Sequence, residues 1–108
     1  MKSSCNFYEL SQSGLIKEVN FLKSTNFDAR PEGTLINMVV IHSISLPPNK
    51  FGGTFIEDFF TNKLKTESDP YFGKIKDLKV SSHFLIKRNG KLIQFVSCKD
   101  RAWHAGKS

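Results

Sequence analysis

The feature that most constrains how this sequence can fold is one short apolar run, Leu35 to Ile41 (Leu-Ile-Asn-Met-Val-Val-Ile). Its length and its β-branched end are typical of a central strand that is buried on both faces. Pro47-Pro48 ends the strand soon afterwards. His42 follows the run directly, at the predicted carboxyl end, where polar side chains often face a ligand-binding crevice. We therefore expect a buried central strand that presents a histidine to a crevice.

Two helices are predicted downstream of this strand. Thr54 and Glu57 form the Thr-x-x-Glu pattern of a capping box, which predicts a helix start. Asp69-Pro70 predicts the cap and first position of a second, shorter helix. Apolar residues recur at helical spacing in both segments, and we expect them on the buried faces: Ile56, Phe59, Phe60 and Leu64 in the first, Tyr71, Ile75 and Leu78 in the second.

The remaining segments predict strands. Residues 14–22 suit a strand or a short helix, and we favour the strand. Residues 82–88 and 91–96 flank Asn89-Gly90, the pair favoured where both turn residues need positive φ, so they predict a hairpin. No repeat or linker divides the chain. The fold class is therefore α/β, a mixed central β-sheet with flanking helices, in a single domain over residues 1–108.

Composition narrows the setting of the protein. The sequence has 108 residues, 39% of them hydrophobic, and no apolar stretch near the roughly 20 residues of a membrane-spanning helix. Its first residues lack the apolar core of a secretory signal. Two cysteines, Cys5 and Cys98, make no disulfide framework or metal-ligand pattern. We expect a cytoplasmic protein.

The charge of the protein is uneven. Residues 34–108 carry twelve Lys or Arg and six Asp or Glu, and so account for the whole net charge of +6. A basic half favours an anionic partner, such as a nucleic acid, a membrane surface or a small acidic ligand. The alternative is a solvated basic face without a partner. No nucleic-acid-binding signature is present, so a basic cleft for a carboxylate-rich ligand fits at least as well.

Three histidines are the candidates for chemistry. His42 is favoured by its place after the apolar run, whereas His83 on a hairpin strand suits a packed histidine bonded to backbone. His104 stands before Ala105-Gly106, where small residues let a ligand approach the backbone. A catalytic zinc needs three protein ligands and an open position for water, and three scattered histidines are a weak signal for such a site.

Five blocks of the sequence resemble the AmpD-type zinc N-acetylmuramoyl-L-alanine amidases, in the same order and at similar intervals over about residues 15–108. They are Phe27-Asp28-Ala29-Arg30-Pro31, Val40-Ile41-His42-Ser43-Ile44-Ser45-Leu46-Pro47-Pro48, Lys50-Phe51-Gly52-Gly53, Val80-Ser81-Ser82-His83-Phe84-Leu85-Ile86 and Lys99-Asp100-Arg101-Ala102-Trp103-His104-Ala105-Gly106. The His42 block and the Trp103-His104 block are the most specific of these.

The resemblance implies a mixed sheet with helices against it and a zinc ion in a surface groove. It implies hydrolysis of the amide between the lactyl group of (anhydro)N-acetylmuramic acid and L-alanine in muropeptides, during peptidoglycan recycling. His42 would be the first Zn²⁺ ligand, and His83 would support the site without binding metal. The substrate-binding positions implied by the match are Ser43, Lys79, Arg101, Trp103, His104, Ala105 and Gly106. Lys79 and Ser43 depart from the arginine and asparagine usual in the family, and a lysine loses the bidentate grip on a carboxylate.

The family's other zinc ligands and its general base lie downstream of the position that matches residue 108. We therefore expect a truncated amidase domain, incomplete at its C-terminus, whose catalytic base is not among these residues. A catalytically dead fragment or a muropeptide-binding module that does not cut remains the alternative. The expected partner is an anhydromuramyl peptide, with no nucleic acid and no membrane, and the expected state is a monomer that is marginally stable or prone to aggregation.

Overall fold

The computed structural model describes residues 9–44, 46 and 53–104. Its elements in chain order are β1 (Asn20–Phe21), β2 (Phe27–Ala29), α1 (Phe55–Phe60), a 3₁₀ turn (Thr66–Ser68), α2 (Pro70–Ile75), β3 (Phe84–Ile86), β4 (Leu92–Gln94) and β5 (Asp100–Ala102). The helices in this part of the chain have six residues or fewer, and none is long and apolar enough to cross a membrane.

The strands form two small sheets. β4 is the middle strand of the larger one, parallel to β1 and antiparallel to β3. β2 and β5 pair antiparallel in the second sheet, with Asp28 opposite Arg101. The predicted mixed α/β class is confirmed. Of residues 14–22, predicted as a strand, only Asn20–Phe21 form one with β4.

The predicted hairpin is confirmed as β3–β4, but its turn differs from the expected one. The Gly90 N–H donates to the Lys87 carbonyl and the Lys87 N–H to the Lys91 carbonyl, both at 2.8 Å. Gly90 has φ 86°, whereas Asn89 is not among the described residues with positive φ. The connection is therefore a three-residue loop, in which only its last residue must be left-handed. The Asn89 side chain instead accepts from the Lys91 N–H at 2.9 Å.

Both helices begin where the sequence predicts, but the capping box of α1 is not formed. Thr54 makes no side-chain hydrogen bond to the backbone. Glu57 is buried, and its carboxylate accepts from Lys87 Nζ at 2.7 Å. A buried carboxylate needs a charged partner more than the exposed helix end needs a second cap, so the pair with Lys87 replaces the box.

The start of α2 matches its prediction in detail. Asp69 accepts the Tyr71 N–H at 2.8 Å, and Pro70 occupies the first turn, where its missing N–H costs no hydrogen bond. The helix ends at Ile75. Leu78 therefore lies beyond it and is exposed, contrary to the expectation that it extends the buried face.

The core lies where α1, α2 and β4 meet. Phe72 and Phe95 have no exposed surface. The Phe60 and Phe95 rings meet edge to face at a centroid distance of 5.1 Å, and Phe55 meets Phe72 in the same way at 5.0 Å. Such edge-to-face pairs add to the burial of the rings, so this cluster of phenylalanines is the main source of stability in the described part of the chain.

A buried polar cluster joins this core to the second sheet. Asn26 donates to the Val80 carbonyl at 2.8 Å and exchanges two amide hydrogen bonds with Asn62, each of 2.9 Å. Ser24 donates to the Phe60 carbonyl, and Ser81 donates to the Asn26 carbonyl at 2.6 Å. Because each of these buried side chains finds a partner, the cluster fixes the path of the chain without leaving polar groups unsatisfied.

The expectation of a buried central strand at residues 35–41 is wrong for this structure. The segment is irregular, and its large apolar side chains are exposed, from 54% at Ile36 to 86% at Ile41. A strand exists only with a neighbour to share its backbone hydrogen bonds. The strand pairings among the described residues involve other segments, so an apolar, β-branched sequence is not by itself enough.

Candidate metal and substrate site

The three histidines, far apart in sequence, lie close together in the fold. Nε2 of His42 is 3.3 Å from Nδ1 of His104, with the rings roughly perpendicular and their centroids 5.4 Å apart. The His83 ring is 6.1 Å from that of His104. His42 and His104 are exposed and His83 is half-buried. The proximity of the histidines does not by itself establish a catalytic or metal-binding role, but it brings the two most specific sequence blocks together.

His83 is held by backbone. Its Nε2 lies 2.8 Å from the Asp100 carbonyl, which can only accept, so this nitrogen carries the proton. Arg30 lies 3.3 Å from the same nitrogen and donates Nε and Nη2 to the Cys98 carbonyl at 3.2 and 3.1 Å. His83 is thus a positioned side chain between β3 and β5, in keeping with the supporting role that the resemblance implies.

The ionisation of His104 is perturbed by its surroundings. Partial burial lowers its pKa, and the neighbouring His42 and His83 lower it further because a second positive charge would be unfavourable there. The neutral imidazole, which retains a lone pair on one nitrogen, is therefore favoured near neutral pH.

The position of Trp103 and His104 is set by Ser81. The Ser81 N–H donates to the Trp103 carbonyl at 2.9 Å, and the Trp103 N–H donates to the Ser81 hydroxyl at 3.1 Å. Ser81 is itself part of the buried polar cluster through Asn26. The buried polar cluster therefore fixes the backbone at Trp103, directly after β5, and so the position from which the His104 side chain extends.

Arg101 lies in a fork-shaped pair with Asp28, its partner across β2 and β5. Nε and Nη2 donate to the two carboxylate oxygens at 2.7 and 2.5 Å. The hydrogen bond and the charge of Asp28 raise the pKa of Arg101. The pairing uses two of the donors that the sequence assigned to a substrate.

The other predicted substrate positions are either exposed or outside the described residues. Ser43 and Lys79 are exposed. Ala105 and Gly106 lie outside the described residues. A recess of about 360 Å³ between β1 and the hairpin is lined by Glu18, Val19, Asn20, Gly90, Lys91 and Leu92 and contains none of the three histidines.

The donor atoms near His42 fit a zinc ion only in part. Two imidazole nitrogens 3.3 Å apart suit neighbouring ligands of one tetrahedral ion. Within residues 9–44, 46 and 53–104, however, no group of three His, Cys, Asp or Glu side chains could hold a metal. The described residues thus fit part of a zinc shell and fall short of the three ligands that a catalytic zinc needs.

Two residues that contribute to the site, Arg30 and Asp28, were not predicted as site residues from their residue type. Arg30 and Asp28 hold His83 and Arg101, yet a single sequence shows neither the pairing of β2 with β5 nor its register. The available signal was their presence in the Phe27–Pro31 block of the family resemblance.

Comparison with known proteins places this geometry in a family. The profile of the N-acetylmuramoyl-L-alanine amidase family matches residues 32–108. The 1,6-anhydro-N-acetylmuramyl-L-alanine amidase AmpD of Haemophilus influenzae is 47% identical over 97 residues, covering 90% of this chain and 53% of the relative. AmpD of Escherichia coli K12 is 39% identical over 99 residues, covering 92% and 54%. The chain spans about half the length of the curated relatives it matches.

Solved structures agree with the sequence match. A crystal structure of a selenomethionine derivative of AmpD superposes with a TM-score of 0.82 at 41% identity, over 91% of this chain and 55% of that one. The solution structure of Citrobacter freundii AmpD gives a TM-score of 0.54 at 40% identity, over 90% and 52%. The matched residues include both blocks that meet at His42 and His104, and the chain belongs to the N-acetylmuramoyl-L-alanine amidase family.

Proposed function

We propose that this chain serves the zinc-dependent hydrolysis of the amide between the lactyl group of (anhydro)N-acetylmuramic acid and L-alanine in muropeptides. The observation that carries the proposal is the family match over residues 32–108, which includes His42 and the block from Arg101 to Gly106. The relatives of similar sequence are named as 1,6-anhydro-N-acetylmuramyl-L-alanine amidases. We take residues 1–108 as part of one amidase domain.

In this proposal His42 is a zinc ligand. When bound, zinc would polarise the substrate carbonyl and lower the pKa of a water molecule. The exposed His42 ring leaves room for both metal and substrate. A general base and further ligands would have to come from outside the described residues, because these hold no group of three suitable donors.

The substrate would lie along the segment that Ser81 holds. Trp103 offers an apolar surface to the sugar, with Ala105 and Gly106 next along the chain allowing close approach. Lys79 and Ser43, both exposed, would contact the peptide, Lys79 as a point charge for a carboxylate. Arg101 would contact the ligand through Nη1, since its Nε and Nη2 donate to Asp28.

We also propose the setting that the family resemblance implies: recycling of cell-wall fragments in the cytoplasm, by a monomer that needs neither nucleic acid nor membrane. The excess of basic residues in 34–108 supports an acidic ligand of this kind, since muropeptides carry several carboxylates.

A second function, muropeptide binding without cleavage, is favoured by one observation. The described residues supply two neighbouring histidine nitrogens but no third metal ligand. Hydrolysis needs a complete set of zinc ligands, whereas muropeptide binding does not. Binding that persists in the presence of a chelator would support this function.

The experiment is incubation of the chain with zinc and anhydromuramyl-tripeptide, with released peptide detected by mass spectrometry. Time-dependent release by the wild type that is lost in His42→Ala would support the hydrolase. Absence of release, together with chelator-resistant binding by calorimetry, would support the binding module instead. Absence of both would refute the proposed function.

A further inference from the structure

We propose that the apolar segment, residues 35–41, is a docking surface for the part of an amidase domain that lies outside the match between this chain and its relatives. That polypeptide pairs with the segment as a neighbouring β-strand and covers both of its faces. The inference rests on the family match, which includes the segment, and not on the proposed hydrolysis.

The apolar segment is exposed along its whole length. Its six large apolar side chains are 54–86% exposed, and Asn37 between them is exposed as well. No charged residue interrupts the run. Soluble monomers rarely leave a contiguous apolar surface larger than roughly a few hundred Å² in water, and larger surfaces mark sites of interaction. The segment therefore has the composition of an interface and not of a solvated loop.

Both faces of the segment are apolar. Successive side chains of a strand point to opposite faces, which places Val39 on one face and Val40 on the other, each with two further large apolar side chains. A strand of this kind is stable where other elements cover both faces. A second copy of this chain could pair along one edge of the segment but would leave the faces of both strands in water. The occupant is therefore larger than a single strand.

The sheet beside the segment has an open edge. β3 pairs with β4 on one side, and no described strand lies on its other side. His42 directly follows the segment and His83 directly precedes β3, and their rings lie 5.4 and 6.1 Å from the ring of His104. The end of the segment and the start of the open edge are therefore close together. A polypeptide that docks on the segment meets unpaired backbone groups there, which is how a strand is added to a sheet.

The relatives indicate which polypeptide fits this surface. The match covers 53% of AmpD from Haemophilus influenzae and 54% of AmpD from Escherichia coli K12, which leaves nearly half of each relative outside it. The apolar segment lies inside the match. In the relatives a similar segment is thus accompanied by further polypeptide of about the same length as the matched part. Such a polypeptide is large enough to cover both faces, whereas a short peptide is not.

The docking surface is tested with one defined partner, the polypeptide that follows the matched part in Haemophilus influenzae AmpD. The intact chain and a fluorescently labelled sample of this partner are diluted together from urea, and fluorescence anisotropy over a concentration series measures their affinity. Sedimentation velocity measures the stoichiometry, for which a 1:1 complex is expected. A dimer of this chain that excludes the partner would overturn the proposal, as would the absence of any complex in the micromolar range.

Two substitutions test the two faces. Val39 and Val40 are 85% and 68% exposed, so Val39→Lys and Val40→Lys should leave the free chain folded, which circular dichroism checks. Each charge would be buried in the complex, so each variant should bind the partner at least about tenfold more weakly. The matched control is Leu10→Lys, at a 59% exposed position outside the segment, which should alter the affinity by less than about twofold. An effect confined to one face, or an equal effect of Leu10→Lys, would contradict the proposal.

Hydrogen exchange gives a readout that does not depend on any variant. In the free chain the amides of residues 35–41 lie in an irregular, exposed segment and should exchange rapidly. In the complex they should become protected, because a paired strand uses its backbone N–H groups in hydrogen bonds. A stable complex in which these amides exchange as in the free chain would refute the docking surface. Peptide release from anhydromuramyl-tripeptide is measured separately, so hydrolysis can fail while the docking surface stands.

Discussion

Two apolar regions of this protein have opposite environments. In the phenylalanine core, Phe72 and Phe95 are completely buried between α1, α2 and β4. In the apolar segment 35–41, Val39 and Ile41 are 85% and 86% exposed. The sequence favours burial of the segment at least as strongly as burial of the core. The difference shows that burial depends on what a segment can pack against, and not on its own hydrophobicity.

The packing partners account for the contrast. The phenylalanines of the core lie in α1 and α2 or directly after β4, and the Phe55–Phe72 and Phe60–Phe95 rings meet edge to face. Residues 35–41 share no strand pairing with any described element. The chain spans about half the length of its curated relatives, at 53% of the Haemophilus influenzae protein, so those relatives contain sequence with no counterpart here.

The largest expected effect is truncation of the core. Phe95→Ala removes a fully buried ring and its contact with Phe60, and should lower the free energy of unfolding by about 3–5 kcal/mol. That loss is comparable to the whole stability of many small domains, so the variant should be largely unfolded. Urea denaturation followed by circular dichroism measures it.

Phe95→Leu is the matched control, because it keeps most of the apolar volume. It should cost clearly less than Phe95→Ala. Equal, small effects of the two variants would mean that the phenylalanine core is not the main source of stability, and the contrast between the two regions would then be lost.

The next effect concerns the exposed segment. Val39→Lys should change the free energy of unfolding by less than about 0.5 kcal/mol, because the side chain it replaces is already in water. The same change should raise the concentration at which the protein aggregates, since it breaks an exposed, β-branched apolar patch with a charge. Sedimentation velocity over a concentration series measures the second effect.

The matched surface variant is Lys76→Ala, at an exposed position just after α2. It should leave both stability and aggregation nearly unchanged. Lys87→Ala would not serve as a control, because Lys87 pairs with the buried Glu57. A loss of several kcal/mol in Val39→Lys would show that the segment is packed in solution. A sharp, cooperative thermal transition of a monomer at high concentration would contradict the expected tendency to aggregate.

The same contrast explains which parts of the fold could be predicted. The start of α2 depends on Asp69 and Pro70 alone, and the hairpin on a turn whose glycine needs a positive φ, so local chemistry was enough for both. The strand at 35–41 required knowledge of its neighbours, which a sequence pattern does not contain. Burial of Glu57 against Lys87, 30 residues away, likewise displaced a capping box that was locally reasonable.

The candidate site likewise has residues that the sequence predicts and contacts that depend on the fold. Residue type and family resemblance singled out His42 and His104, but their approach to 3.3 Å joins positions 62 residues apart. It depends on Ser81 and the buried polar cluster fixing the segment after β5. The pairing of Arg101 with Asp28 depends on strand register, which no single residue reveals.

The smallest effect is a difference in thiol reactivity between the half-buried Cys98, in the loop between β4 and β5, and the exposed segment 35–41. Partial burial raises the pKa of Cys98, an effect that the nearby Arg30 charge only partly offsets. Cys98 should therefore react with iodoacetamide at pH 8 more slowly than a cysteine placed at position 39 by Val39→Cys, since the thiolate is the reacting species. The Cys5→Ser protein reports Cys98, and Val39→Cys is examined with both native cysteines replaced by serine.

The pH dependence of alkylation gives the direction of the Cys98 pKa shift independently of the absolute reaction rate. Because the pKa of Cys98 is raised in the folded state, its alkylation rate should reach half-maximum at a higher pH than that of the cysteine at position 39. The unfolded chain would release this proton first, so Cys98 should cost the folded state stability as pH rises through the unfolded pKa. In concentrated urea the two thiols should react alike. A difference that survives urea would arise from local sequence, whereas one that disappears on unfolding belongs to the contrast in burial.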